Sequence, residues 1–206
     1  PPHCRACHCQ KTPPARTGAL GLVASPRGTP NPGPAVPAAG PGLGRGSEAR
    51  SKLDDAIATD APLVIDGDAL RLLDAARLEA LGTRTAVTVL TPHAGEFEAA
   101  FGANQGSKIA AARRAAARSR AIVIFKGPDT VIATPAGDAT VARTASSWLS
   151  TAGTGDVLAG AVGAMLATRQ LPEAAVWMHA EAARRLGGAF IADDLAHELS
   201  AVRALL

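Results

Sequence analysis

Tyrosine is absent from this 206-residue chain, and all aromatics together make up 3% of it. A core must therefore be built from alanine, valine, leucine and isoleucine, and apolar residues at 47% supply enough of them. Alanine-rich helices over β-branched strands suit a layered α/β domain. Cysteine is missing after residue 9, since Cys4, Cys7 and Cys9 are the only three. That excludes a disulfide framework in the body of the chain. No apolar run approaches the length of a membrane span, and the first residues lack the basic-then-apolar order of a secretory signal. A cytoplasmic protein with no membrane partner is expected. Acidic residues are missing from positions 1–40, which carry Arg5, Lys11, Arg16 and Arg27, whereas the remainder holds 17 basic and 18 acidic residues. The net charge of +3 is thus a property of the N-terminal segment, and no nucleic-acid surface is expected.

Residues 1–39 hold nine of the fifteen prolines and few large apolar side chains. Such a segment buries too little surface to offset its ordering entropy, so it is expected to be disordered and outside the fold. Its Cys4-x-x-Cys7-x-Cys9 run, with His3 and His8, is discounted as a metal site, because zinc needs four well-placed ligands on a closed knuckle. The body is expected to span residues 40–206. Its short apolar runs at 63–65, 86–90 and 121–125 read as buried strands, and 130–134 with 139–143 as a hairpin around Pro135-Ala136-Gly137-Asp138. Helical patterns cover 48–58, 69–81, 95–101, 108–119, 154–168, 172–186 and 193–205. Strands separated by helices predict a mostly parallel sheet. The loops after Ile65, Leu90 and Phe125 then gather on one edge, where such sheets bind ligands.

The strongest chemical signal is Ser150-Thr151-Ala152-Gly153-Thr154-Gly155-Asp156-Val157-Leu158-Ala159-Gly160. Gly153 and Gly155 let backbone approach a ligand, and the amides of Thr154, Gly155 and Asp156 are expected to point outward at a helix N-terminus, an anion site. Asp156 alone would read as a first-turn acid that complements the helix dipole. On a rigid apolar helix beside an anion hole, it is also placed to act as a general base.

This stretch resembles the signature of ribokinase-like kinases, and its Asp-Val-Leu variant after Ser146-Ser147-Trp148-Leu149 resembles the NAD(P)H-hydrate dehydratase branch. Three further stretches match that branch in order. They are Gly40-Pro41-Gly42-Leu43-Gly44 with Val64-Ile65-Asp66-Gly67-Asp68-Ala69-Leu70, Leu90-Thr91-Pro92-His93-Ala94-Gly95-Glu96-Phe97, and Ile124-Phe125-Lys126-Gly127-Pro128-Asp129-Thr130-Val131. Gly67 stands where the family usually has alanine. The resemblance implies a ribokinase-like three-layer αβα sandwich. Family members begin upstream with a first strand and a Gly/Ala-rich loop that residues 1–39 do not resemble, so one or more N-terminal strands are expected to be missing.

The resemblance also implies an activity: ADP- or ATP-dependent dehydration of the S-epimer of hydrated NADH or NADPH, with Mg²⁺. It makes Asp156 the base and a substrate contact, alongside Gly42, Gly44 and His93. Lys126, Gly127, Pro128, Asp129, Thr130, Gly153, Thr154 and Gly155 would hold the adenine nucleotide, and Glu96 would organise the metal. Asp66 and Asp68 follow a strand and either position polar ligand groups or, for Asp68, cap the next helix. A homo-oligomer and a fused or separate NAD(P)H-hydrate epimerase are the expected partners. Two alternatives share these residues: a small-molecule kinase for a vitamin precursor or sugar, and an inactive fragment. Arg113, Arg114, Arg118 and Arg120 read as a solvated helix face, Met178 and His179 as core or interface, and Trp148 as a nucleotide cover or simple packing.

Overall fold

The computed structural model describes residues 36–104, 106–143 and 146–205. Six strands form one sheet in sequence order: β1 (Ala38–Ala39), β2 (Leu63–Ile65), β3 (Thr88–Leu90), β4 (Ile122–Phe125), β5 (Asp129–Ala133) and β6 (Ala139–Arg143). β1 to β4 are parallel, and the hairpin adds β5 and β6 antiparallel. Side chains alternate between the two faces of each strand. Leu63, Ile65, Leu90, Val123 and Phe125 enter one core, while Val64, Val89 and Ile124 enter the other. Both faces are apolar and both are covered, which accounts for unbroken hydrophobic strands.

The first core is closed by α1 (Ser47–Ile57), α2 (Gly67–Arg71), α3 (Ala75–Thr83), α4 (Ala94–Phe101) and α5 (Lys108–Ser119). The second is closed by α6 (Thr154–Ala167), α7 (Pro172–Leu186) and α8 (Ala192–Arg203). The result is the expected three-layer αβα sandwich. Two boundaries differ from the sequence reading. Val36 is buried and Ala38–Ala39 pair with Val64 and Ile65, so the fold begins before residue 40. Pro37 does not prevent this, because an edge strand needs only its carbonyl, which accepts from Val64 N at 3.1 Å. Residues 1–35, including Cys4, Cys7 and Cys9, lie outside the described residues. The single helix expected over 69–81 is two helices, α2 and α3. Leu72 and Leu73 are adjacent and both buried, and Asp74 then caps α3 by accepting from Arg77 N at 3.0 Å.

Backbone bonds extend the ladder past the strand ends. Asp66 N donates to Ala39 O at 2.9 Å, Thr91 N to Ile65 O at 3.1 Å and Lys126 N to Pro92 O at 2.8 Å. The loops carrying Gly40, Asp66, His93 and Lys126 are thereby held side by side at one sheet edge. On the far layer, α6 and α7 meet through apolar side chains and a polar contact, His179 Nε2 to Thr154 O at 2.8 Å. Burial holds the His179 pKa down to about 4.

That depression has a definite pH signature. An unfolded histidine takes up a proton near pH 6.5, which folded His179 refuses until about pH 4, so the contribution is complete above the unfolded pKa and is lost as pH falls through this window. Between pH 7 and pH 4 the protein should lose about 3 kcal/mol more stability than a His179→Gln variant. Urea unfolding of both proteins across that range checks this, and parallel losses would refute it.

Candidate active site

Gly153 opens α6 in the left-handed region at φ +86°, and a Cβ there would lie 3.0 Å from the Ala192 Cβ. This glycine is required twice, by conformation and by space. The turn it makes uses one of the three amides expected to face a ligand, because Thr154 N donates to Thr151 O at 3.3 Å. Among the described residues, the amides of Gly155 and Asp156 meet no such acceptor. The expected anion site is thus reduced to two amides, at positions N2 and N3 of a 14-residue helix, with the helix dipole behind them. The Thr154 hydroxyl lies 2.7 Å from Leu149 O and 2.8 Å from Thr151 O, binding the helix tip to the preceding loop.

Asp156 projects from the same turn. Asp156 is exposed, yet the atoms around it remove enough water to raise its pKa. The charge of Asp66 adds to the rise and Glu96 contributes less, while Lys126 opposes them. The carboxylate is thus a stronger base than a free aspartate. Lys126 stands between these groups. Its Nζ is 2.8 Å from Asp66 Oδ1 and 3.8 Å from Glu96 Oε2, and a Cβ on Gly155 would come within 3.3 Å of it. Asp66, the most deeply buried acid of this cluster at 2% exposed, is satisfied by that lysine.

His93 and Glu96 form a capping box at the start of α4. His93 Nδ1 accepts from the amides of Gly95 at 3.0 Å and Glu96 at 3.3 Å, and Glu96 Oε2 accepts from His93 N at 2.8 Å. Glu96 Oε1 lies 3.2 Å from His93 Nε2. Glu96 Oε2 is thus held by the capping box, with Oε1 beside the His93 ring. Among the described residues, no three His, Cys, Asp or Glu side chains stand close enough to hold a metal. The His93 side chain remains half exposed. Gly42 and Gly44, at φ +77° and +78°, shape an open loop after β1 with nothing near their Cβ positions. Gly67, at φ +54°, lets Pro41 approach to 3.0 Å of where a side chain would begin, so the departure from alanine matches this loop's packing.

A cavity of about 500 Å³ lies on the other side of Lys126. Lys126, Gly127, Pro128 and Thr130 form one wall, and Ser146, Thr154, Gly155 and His179 face them. Asp129 does not line it, because its carboxylate turns to Lys108 Nζ at 3.4 Å. Lys108 escaped the sequence reading, although a lysine in the first turn of a helix opposes the dipole and so signals another task. Its Nζ is 2.6 Å from Asp129 O and 3.2 Å from Lys126 O, and lies over the Phe125 ring. It braces the 126–129 turn, and a Cβ on Gly127 would collide with it at 2.5 Å. His179, read only as core or interface, is both buried and a cavity wall. Trp148 packs toward Gly188 in the α7–α8 loop and is not among the cavity walls.

A family profile described as NAD(P)H-hydrate dehydratase matches residues 34–203. A Gloeobacter violaceus protein named bifunctional NAD(P)H-hydrate repair enzyme Nnr is 45% identical over 150 residues, covering 69% of this chain and 29% of that protein. A Mycobacterium tuberculosis protein of the same name is 44% identical over 130 residues, covering 63% and 27% respectively. The chain thus spans less than a third of these curated relatives. Among solved structures, the ADP/ATP-dependent NAD(P)H-hydrate dehydratase of Bacillus subtilis co-crystallized with ATP/Mg²⁺ superposes with a TM-score of 0.73 at 28% identity, over 82% of this chain and 64% of that one. A ribokinase-like superfamily protein of Enterococcus faecalis superposes with a TM-score of 0.70 at 24% identity, over 82% and 63%, which shows the shared fold. The family profile covers most of the chain, and the chain belongs to the NAD(P)H-hydrate dehydratase family.

Proposed function

We propose that this domain dehydrates the S-epimer of hydrated NADH and NADPH, with ADP or ATP as phosphoryl donor, and returns the reduced dinucleotide. The observation that carries this reading is the meeting, at one helix tip, of two unpaired amides, a partly desolvated carboxylate and a lysine, in a chain of this family. Hydroxide is a poor leaving group, and phosphate is a good one. Asp156 takes the proton from the ring hydroxyl, whose oxygen attacks the terminal phosphorus of the nucleotide. An oxygen–phosphorus bond forms, and with ADP the bond to AMP breaks. The Gly155 and Asp156 amides and Lys126 face the charge that spreads over the phosphoryl oxygens. The ring nitrogen's lone pair then expels phosphate, the neighbouring carbon gives up a proton, and the ring double bond returns.

The two sides of the helix tip take different ligands in this reading. The cavity bounded by Lys126, Gly127, Pro128, Thr130, Thr154 and Gly155 receives the adenine nucleotide, with Gly153 and Asp129 contributing through the backbone they shape. The open loop at Gly42 and Gly44, the exposed edge of His93 and Asp156 receive the dinucleotide. Magnesium is assigned to the phosphates of the incoming nucleotide, the usual arrangement for this ion, with Glu96 the nearby acid that would help organise it. Among the described residues no helix is long and apolar enough to cross a membrane, and the substrates suit a cytoplasmic setting. Only one epimer fits a single chiral site, so an epimerase activity, fused or separate, completes the repair.

Replacing Asp156 with Asn should lower kcat about 10²- to 10⁴-fold, the contribution of a positioned general base, while ADP affinity stays within about 3-fold. Regain of reduced-nicotinamide absorbance and calorimetric ADP titration measure the two quantities. Retention of more than a tenth of wild-type turnover would remove Asp156 from the reaction. Phosphorylation of a vitamin precursor by a protein inert toward the hydrate would replace the dehydratase reading with a kinase. A second outcome concerns pH. Asp66→Asn removes a negative charge that raises the Asp156 pKa, so the acid limb of kcat/KM should move to lower pH. An unmoved limb, or one moved upward, would refute the coupling.

A further inference from the structure

The first turn of a helix is its loosest part, because its amides have no partner one turn earlier. In α6 that turn carries the anion hole, so something must hold it still. Two of its restraints are local. Thr154 N reaches Thr151 O, and the Thr154 hydroxyl reaches Leu149 O and Thr151 O. Those partners belong to the loop that leads into the helix and would move with it. One polar restraint comes from a separate body: His179 Nε2 meets the Thr154 carbonyl at 2.8 Å. Because a carbonyl only accepts, Nε2 must carry the proton and donate. His179 sits on the 15-residue α7, which is anchored in the second core by Ala175, Val176, Met178, Ala182 and Ala183. An imidazole on the buried face of this helix sacrifices hydration that an aliphatic side chain would not. It is placed where α7 borders both the helix tip and the nucleotide-side cavity.

We infer that His179 is a positioning residue for the anion hole: through the Thr154 carbonyl it fixes the first turn of α6, so that the Gly155 and Asp156 amides aim at one phosphoryl group. This inference rests on the helix-tip reading above and adds a residue of the cavity wall that acts through the Thr154 carbonyl. It predicts that the donor matters, rather than the ring or the volume. Gln places an N–H near the position of Nε2, Leu fills the space without a donor, and Asn is polar but one methylene too short.

The test compares these variants by steady-state dehydration and by the Gly155 and Asp156 amide resonances in proton–nitrogen correlation spectra during ADP titration. His179→Leu should lower kcat about 30- to 100-fold, the scale on which small displacements of oriented groups act, with the KM for ADP within about 3-fold. His179→Gln should recover to within about 5-fold of wild type. The two amide resonances should shift with ADP in wild type and Gln, and by less than half as much in Leu. If Leu does not fold, Asn takes its place with the same expectation. Turnover by Leu within 3-fold of wild type, or Gln as impaired as Leu, overturns the inference. If the wild type fails to dehydrate the hydrate, the proposed activity falls separately, and the amide shifts alone decide the role of His179.

Discussion

Three carboxylates share one lysine at the edge of this sheet. Lys126 pairs closely with Asp66, stands within ion-pair range of Glu96 and lowers the Asp156 pKa from farther away. One positive charge cannot satisfy three negative ones, and the distribution is unequal by geometry. Asp66, the deepest, takes the short contact. Glu96 is steadied by the backbone and ring of His93. Asp156 is left with the smallest share while losing water to the walls, and its pKa rises accordingly. Its basicity follows first from lost water and then from the nearby charge of Asp66, which Lys126 only partly offsets.

That arrangement holds only because the loops cannot drift apart. The bonds from Asp66 N to Ala39 O, Thr91 N to Ile65 O and Lys126 N to Pro92 O lengthen the parallel ladder beyond the strands. Each loop inherits the spacing of the strand it leaves. Lys108 adds a second restraint, tying the 126–129 turn to α5 through two carbonyls. Buried charge pairs are expensive to form and more expensive to break, so a cluster of this kind needs a scaffold that fixes distances independently of the charges themselves.

The sequence revealed what is local and continuous. Leu63–Ile65 is an uninterrupted apolar run, and the strand falls on those residues. The Gly153-Thr154-Gly155-Asp156 stretch announces a helix tip open to an anion, and α6 starts there. What it concealed depends on long-range partners or on competition within one turn. Ala38–Ala39 has no strand signal of its own and becomes β1 through pairing with β2. Thr154's amide looked available until the turn preceding it was built. Glu96 reads as a first-turn helix acid, and the capping box that engages it requires knowing where the His93 ring goes. Lys108 lies 18 residues from Lys126 and His179 lies 25 residues from Thr154, distances over which a single sequence carries no pairing signal.

The helix tip also divides the site into unlike halves. Toward Lys126 and His179 the walls close around a cavity, so a ligand there meets groups already fixed by Lys108, α7 and the β4–β5 turn. Toward Gly42 and Gly44 the loop faces open space and His93 is half exposed. A small ligand with one invariant shape suits a preformed cavity, since little ordering is then lost on binding. A large dinucleotide of which only one ring reacts suits an open face that grips the reacting end and leaves the remainder free. The two amides and the carboxylate stand on the boundary, within one helical turn of each other, so their mutual placement is set by helix geometry and does not depend on how a ligand settles.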